Sequence, residues 1–249
     1  MRKLVKKLFR KAGYKISKIE RKPSAKKPVV SSDFFTTQNA LVRCKNRNLK
    51  INTVIDVGAS DGRWSGNCMD AYPSAHYFLV EAQQDHLPGL QTFVAAHKNA
   101  SFVLAAAGSE NGTIYFNNGE LFGGVASDTP FKENSIEVPV VSLDSEIEKR
   151  NLQPPFLLKL DTHGFEVPIL EGARQVISKA NLIIIEAYNF NIEAHSLRFW
   201  ELCAYMEQQG FRPLEIVDLM AREVDRAFWQ MDIFFIKKED PIFSYTKYR

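Results

Sequence analysis

From Ile51 onward the chain alternates short apolar runs with longer stretches of helical spacing. The runs 51–57, 76–81, 101–106, 137–141, 155–160, 181–186, 212–217 and 231–237 read as strands. The stretches 61–71, 83–97, 143–150, 166–179 and 193–209 read as helices. Runs such as Leu182-Ile183-Ile184-Ile185 are apolar without alternation, as in a sheet covered on both faces. The alternation predicts an α/β fold, a Rossmann-like doubly wound parallel sheet with helices on both faces. Residues 34–48 read as a further helix over one edge. Pro213–Val217 and Met231–Ile236 are joined by a polar stretch with no crossover helix, which predicts a terminal hairpin with the last strand antiparallel. Gly112–Phe116 interrupts the rhythm as a small hairpin strand. Residues 117–136, with Gly119, Gly123 and Gly124, read as a long loop of the kind that forms lids and binds substrates.

Two constellations carry candidate chemistry. The first is Val54-Ile55-Asp56-Val57-Gly58-Ala59-Ser60-Asp61-Gly62, a buried strand running into a glycine turn and a helix. The next strand, Tyr77-Phe78-Leu79-Val80, ends in Glu81. Glycine lets backbone N–H groups approach a ligand, and the helix N-terminus favours negative charge. Glu81 is placed to accept hydrogen bonds from ribose hydroxyls. Asp56 would accept from a ligand ammonium or order the turn, and Asp61 would either touch the ligand or serve as an ordinary N-cap. Ala59 in the turn, Ala82 after Glu81 and Ala106 near the end of the third run complete the candidate cofactor contacts, with Gly58 and Gly62. The spacing Asp-x-Gly-x-x-x-Gly differs from Gly-x-Gly-x-x-Gly and points to S-adenosylmethionine rather than a dinucleotide.

The second is Leu158-Lys159-Leu160-Asp161-Thr162-His163-Gly164-Phe165-Glu166. A buried strand delivers Asp161 to the sheet edge where ligands bind in open α/β folds, either to the cofactor's amino group or to the substrate. His163 is either a general base or a loop histidine bonded to backbone. Glu166 would satisfy a helix N-terminus. Glu186 ends the neighbouring strand, either as an ion-pair partner or as a substrate contact, with Tyr188 and Asn189 beside it. Trp64 reads as core. The other histidines, His76, His86, His97 and His195, show no metal-ligand spacing, so no metal is expected.

Composition refines this picture. The chain has 249 residues, is 45% hydrophobic and carries a net charge of +3. It has no apolar run long enough to span a bilayer, and no secretory leader is expected. Cys44, Cys68 and Cys203 read as reduced, packed thiols of a cytoplasmic protein. The charge is unevenly distributed: residues 1–27 hold twelve Lys and Arg against Glu20, a net of +11, leaving about −8 elsewhere. Residues 1–28 therefore read as a basic arm and linker, and 29–249 as the domain, with its core at about 50–237. Leu4, Val5, Leu8, Phe9 and Ala12 fall at helical spacing among lysines and arginines. The arm is an amphipathic helix for peripheral contact with an anionic membrane through residues 1–22, a helix packed on the domain, or a tail. Nucleic acid is not expected as a partner, because the body lacks an interleaved basic and aromatic patch.

These motifs together resemble the FkbM family of S-adenosylmethionine-dependent methyltransferases. The resemblance rests on Val54–Gly62, Glu81, Val103–Ser109 with Gly112, Val140-Val141-Ser142-Leu143-Asp144, Lys159-x-Asp161-x-x-Gly164-x-Glu166 with Leu170-x-Gly172, and Met231–Phe235. It covers roughly 50–237. His163 stands where the family usually carries Glu or Gln. The resemblance implies a seven-stranded sheet with the last strand antiparallel, and methyl transfer to an oxygen of a sugar, glycan or secondary metabolite. A small-molecule or lipid-linked glycan acceptor would suit the basic arm. Two other readings stay open: a nicotinamide-dependent oxidoreductase, and a catalytically silent binding module recruited through the arm.

Overall fold

The computed structural model describes residues 32–194 and 196–248. The expectations for the basic arm, and for His195, fall outside those residues. A 3-10 turn, Ser32–Phe35, leads into α1 (Thr37–Asn46), whose N-cap Thr36 accepts from the Asn39 N–H. Then follow β1 (Thr53–Val57), α2 (Arg63–Met69), β2 (His76–Glu81), α3 (Leu87–Ala96) and β3 (Ala100–Leu104). The middle of the chain gives β4 (Ala106–Ala107), β5 (Gly112–Asn117), β6 (Val125–Ser127), β7 (Ser135–Val141) and α4 (Leu143–Lys149). The last third gives β8 (Phe156–Leu160), α5 (Glu166–Glu171), α6 (Arg174–Ser178), β9 (Ala180–Tyr188), α7 (Phe199–Gln208), β10 (Phe211–Ala221) and β11 (Phe228–Lys237).

The fold is a mixed α/β one built on a seven-stranded sheet of order β10-β11-β9-β8-β1-β2-β3. The pairs β9/β8, β8/β1, β1/β2 and β2/β3 are parallel. The last strand, β11, runs antiparallel between β9 and β10, as the missing crossover helix predicts. Successive residues of each central strand face opposite cores. Val54, Tyr77, Leu79, Leu157, Leu182 and Ile184 pack under α1, α2 and α3. Ile55, Phe78, Leu158, Ile183 and Ile185 pack under α4 to α7. The unbroken apolar runs are thus explained: both faces of the sheet are dry.

The structure departs from the sequence expectations in the middle of the chain. The expected strand 101–106 ends at Leu104, where the Ala105 N–H donates to the Glu81 carbonyl at 2.7 Å. The chain then leaves the main sheet, and Ala106 pairs with Val140 in a second, four-stranded sheet of order β4-β7-β5-β6. The run 137–141 belongs to that second sheet, and the loop 117–136 contains β6. The second sheet packs Ile114, Phe116, Val138 and Val140 into the same core as α4 to α7, so it replaces a helix on that face. The expected helix 166–179 divides at Gly172, where an added Cβ would lie 2.0 Å from the Gly108 carbonyl oxygen. The expected helix 193–209 begins only at Phe199. Among the described residues no helix is long and apolar enough to cross a membrane. Cys44 and Cys68 are buried, and burial pushes both thiols up to about 12, which leaves them unreactive.

Candidate functional site

The C-terminal tips of β1, β2 and β8 converge. Gly58 follows β1 at φ +73°, and an added Cβ there would lie 2.0 Å from the Asp161 carbonyl oxygen. The close approach of the two strand tips therefore requires glycine at this position. Gly58 and Ala59 N–H groups both donate to the Val80 carbonyl, and the Asp161 N–H donates to that of Val57. Glu81, at the tip of β2, is buried, and its oxygens accept from the Ser60 N–H at 2.7 Å and the Gln83 N–H at 2.8 Å. A carboxylate has about four lone-pair sites, so it can accept further hydrogen bonds.

A cavity of about 370 Å³ opens beside these tips. Gly58, Ala59, Glu81, Ala82, Ala106, Asp161 and His163 all line it. Asp56, Asp61 and Gly62 do not. Asp56 is fully buried beneath the turn, where Ser65 Oγ donates to Oδ2 at 2.7 Å and the Lys159 ammonium lies 3.4 Å from Oδ1. It orders the turn rather than facing the cavity. Asp61 is turned to the Arg63 guanidinium at 2.7 Å, which holds its carboxyl below the ordinary range. Gly62 stands at the N-cap of α2 with φ +89° and packs against the Phe93 ring.

The second constellation forms a charged cluster at the other end of the cavity. Lys159 is buried, and its ammonium reaches Asp161 Oδ2 at 3.0 Å as well as Asp56. Burial alone would lower the lysine's pKa, but the two carboxylates outweigh it and raise it. Burial likewise opposes ionisation of Asp161, but Lys159 prevails and lowers its pKa. Glu186 moves the other way. Burial and the charge of Asp161 push it up to about 9, so it holds its proton at neutral pH. Tyr188 and Gln230 are hydrogen-bonded to its two oxygens. Asp232, opposite Glu186 in the β9/β11 ladder, is pushed up to about 6 by burial and Asp161.

His163 sits in this cluster at φ +50°, with Nε2 3.7 Å from Asp161 and 3.8 Å from Glu186. Its Nδ1 lies 3.3 Å from the Gly124 carbonyl. A carbonyl only accepts, so this contact puts the proton on Nδ1 and leaves the Nε2 lone pair facing the carboxyl groups. The donor atoms of Asp161, His163 and Glu186 all fall within 4.8 Å of one another, a spacing that suits a metal ion. Sequence spacing among the histidines did not show this grouping. Glu166 has a structural position: Oε1 accepts from the Gly164 N–H at 2.9 Å and the Thr162 hydroxyl at 3.2 Å. It ties the turn that carries His163.

Several lining residues escaped the sequence reading. Trp64, taken there as core, lines the cavity under Lys159, and its buried Nε1 has no hydrogen-bond partner. Phe116, Leu121, Phe122, Gly124 and Ala126 come from the second sheet and its loop. His86 joins that loop to the glycine turn, with Nε2 2.8 Å from the Leu121 carbonyl and Nδ1 3.5 Å from Ser60 Oγ. The Arg63 guanidinium covers the Phe122 ring at 4.9 Å. The only sequence signal for these contacts was the length of the loop.

The model of the methyltransferase FkbM domain matches residues 56–213 of this chain. No curated protein sequence matches it. Among solved structures, the methyltransferase FkbM from Methylobacillus flagellatus KT is similar at a TM-score of 0.50 and 19% identity, over 74% of this chain and 43% of that one. This chain thus spans less than half of that protein's length, and the likeness concerns the fold. Magnesium protoporphyrin IX methyltransferase from Synechocystis PCC 6803, solved with bound S-adenosylmethionine, gives 0.46 and 11%, over 94% and 96% of the two chains. Fibrillarin from Aeropyrum pernix, in complex with S-adenosyl-L-methionine, gives 0.44 and 13%, over 79% and 73%.

Proposed function

The chain belongs to the FkbM methyltransferase family, and on that premise we propose that it transfers a methyl group from S-adenosylmethionine to a substrate oxygen held between Asp161 and His163. One observation supports this reading above the others. A single cavity runs from Glu81 and the glycine turn to Asp161 and His163. Its residues suit the cofactor. Glu81 has lone pairs left for ribose hydroxyls, Ala82 and Ala105–Ala107 offer small side chains to a flat base, and Trp64 has a buried donor without a partner. S-adenosylmethionine, when bound, supplies a methyl group on a positively charged sulfur that leaves readily.

The chain's own residues then have to place and deprotonate the acceptor. Holding the reacting atoms in line contributes several kcal/mol, of the order of the effective-molarity gains of intramolecular reactions. Nε2 of His163 takes the hydroxyl proton, because Nδ1 is committed to the Gly124 carbonyl. The Asp161 carboxylate stabilises the imidazolium that forms, at 3.7 Å. A base so placed contributes typically about 10²–10⁴-fold. Protonated Glu186 serves as a hydrogen-bond donor to Asp161 rather than as a second base.

The mechanism uses no metal. Glu186, raised to about 9, keeps its proton at neutral pH and is bonded to Tyr188 and Gln230, so it makes a poor cation ligand. Turnover is expected to survive a chelator. The acceptor, in this reading, is a hydroxyl of a sugar, glycan or secondary metabolite. Cytoplasmic location and membrane contact through residues 1–22 remain part of the proposal.

Calorimetric titration with S-adenosylmethionine, and separately with NAD, tests it. We expect the first to bind and the second not to. Binding of NAD alone would return the glycine turn to a dinucleotide; binding of neither would favour a silent module.

A further inference from the structure

One corner of the domain is more apolar at its surface than the fold requires. Phe34 and Phe35, in the 3-10 turn Ser32–Phe35, meet edge-on with centroids 5.2 Å apart, and both remain exposed. That turn packs beside β10. The Thr37 N–H donates to the Asp218 carboxylate at 2.9 Å, which fixes the start of α1 next to Leu219 and Met220. Both of these are more than half exposed, and Val224, in the turn after β10, is 85% exposed. Single exposed apolar side chains are ordinary, but a group of this size marks a surface that a partner covers. We propose that this corner docks on an anionic lipid bilayer, an inference that rests on the membrane contact proposed for residues 1–22 and extends it to the folded domain.

Charge selects the bilayer. Residues 34–50 hold Arg43, Lys45, Arg47 and Lys50 and no acid. Glu215 pairs with Arg43 and Arg47, which leaves the exposed Lys45 and Lys50 to meet a headgroup. The Arg43 guanidinium covers the Phe34 ring at 4.0 Å, and the exposed Val42 and Lys45 share one stripe of α1. Apolar and basic side chains thus interleave, as they do where rings enter the acyl boundary and cations meet lipid phosphate. The turn 222–226 balances two arginines against two acids, so it adds Val224 without opposing charge. The sequence leading into Ser32 is itself basic, with twelve Lys and Arg against one acid in residues 1–27.

A second copy of the chain fits this corner less well. The open edge of β10 is interrupted by Pro213, by register shifts on either side of Glu215–Val217, and by Asp218 at φ +49°. These are the features that stop one sheet edge from pairing with another. The corner also lies at the reacting end of the main sheet. The Thr37 hydroxyl donates to Asp232 at 3.1 Å, and Asp232 stands opposite Glu186 in the β9/β11 ladder. Docking through Phe34 and Phe35 therefore brings the charged cluster close to the lipid surface.

The test is sedimentation of the full chain with vesicles of phosphatidylcholine, alone or mixed with phosphatidylglycerol. Binding is expected to the mixed vesicles only. It should be about tenfold weaker in Phe34→Ser/Phe35→Ser and in Leu219→Ser/Met220→Ser, with thermal melts like the wild type's. Phe35→Trp should gain blue-shifted emission on the mixed vesicles, which a purely electrostatic contact of residues 1–22 would not cause. Binding to neither vesicle, equal binding to both, or no blue shift would overturn the corner. So would binding that survives both double variants and is lost in Lys6→Glu/Lys7→Glu, which would confine the contact to the arm. Wild-type dimers that both double variants dissolve would make the corner a contact between copies instead. Titration of the same proteins with S-adenosylmethionine reads the methyltransferase proposal separately: vesicle binding without cofactor binding would sink that proposal and leave the corner standing.

Discussion

The two sides of the site are built on different principles. The side formed by β1, β2 and β8 is made of short turns between a strand and the helix that follows it. Gly58, Glu81 and Asp161 each sit at or just past a strand tip, and the parallel register alone brings them together. The side formed by Phe116, Phe122, Gly124 and Ala126 hangs on the small second sheet and on its loop, which is fastened by His86. A strand-tip site is fixed by the core beneath it. A site built on a loop and a small sheet can change with less cost to the fold, because fewer buried contacts depend on it. The first side should therefore govern stability and cofactor binding together, and the second should govern turnover.

The sharpest way to break this contrast is Gly58→Ala. The new Cβ would fall 2.0 Å from the Asp161 carbonyl oxygen at a backbone φ of +73°. We expect a loss of about 3 kcal/mol in unfolding free energy and no measurable cofactor binding. Denaturant melts and calorimetry would show both. An unchanged melt would mean that the strand tips are free to separate.

Glu81→Ala ranks next. It removes the acceptor for the Ser60 and Gln83 N–H groups together with the proposed ribose contact. Hydrogen bonds to a charged group are worth about 1.5–3 kcal/mol, so S-adenosylmethionine should bind roughly ten- to a hundredfold more weakly. If affinity is unchanged, Glu81 only shapes the turn and the ribose sits elsewhere.

This asymmetry also governs what could be read from the sequence. The main sheet was legible because its strands are buried on both faces, and an unbroken apolar run such as Leu182–Ile185 between turn signals reads as a covered strand. The glycine turn, Glu81 and Asp161 were legible because local spacing fixes their relation to the strand tips. The second sheet was not. Ala106 and Ala107 form a strand too short to show periodicity, and Val125–Ser127 is half-buried and preceded by two glycines. Their strand character comes from pairing with Val140 and Phe116, which no local pattern announces. Trp64 packs against the core, as read, but its place on the cavity was not legible for a related reason: one face of its helix meets both. The proximity of Glu186 and Asp161 follows from the β8/β9 pairing, yet the proton on Glu186 follows from burial, which sequence does not give.

Gly124→Ala sharpens the comparison from the other side. Its Cβ would lie 2.3 Å from the tip of the Phe116 ring, so either the ring or the segment that offers its carbonyl to His163 must shift. Turnover should fall by about tenfold through a misplaced base. Cofactor affinity should change by no more than about threefold, and the melt should move far less than for Gly58→Ala. Equal destabilisation by the two glycine variants would show that the second sheet is as integral to the core as the strand tips.

The smallest effect on turnover, and the most discriminating, belongs to Glu186→Gln. In the folded protein Glu186 is pushed from its ordinary 4.5 to about 9 by burial and by Asp161. The unfolded chain loses this proton near the ordinary value while the folded one keeps it. The group's contribution to stability is therefore full below about 4.5, falls as pH rises, and is gone above about 9. Glutamine is neutral throughout and retains an N–H for Asp161, so the variant should lose that decline and gain on the wild type between pH 5 and 9, most at the alkaline end. Turnover at neutral pH should stay within about threefold, because the carboxyl donates a hydrogen bond and does not accept a proton. A loss as large as a missing general base would mean that Glu186 works as an anion. Its burial beside Asp161 would then be a cost carried for catalysis, and the role assigned to His163 would pass to it.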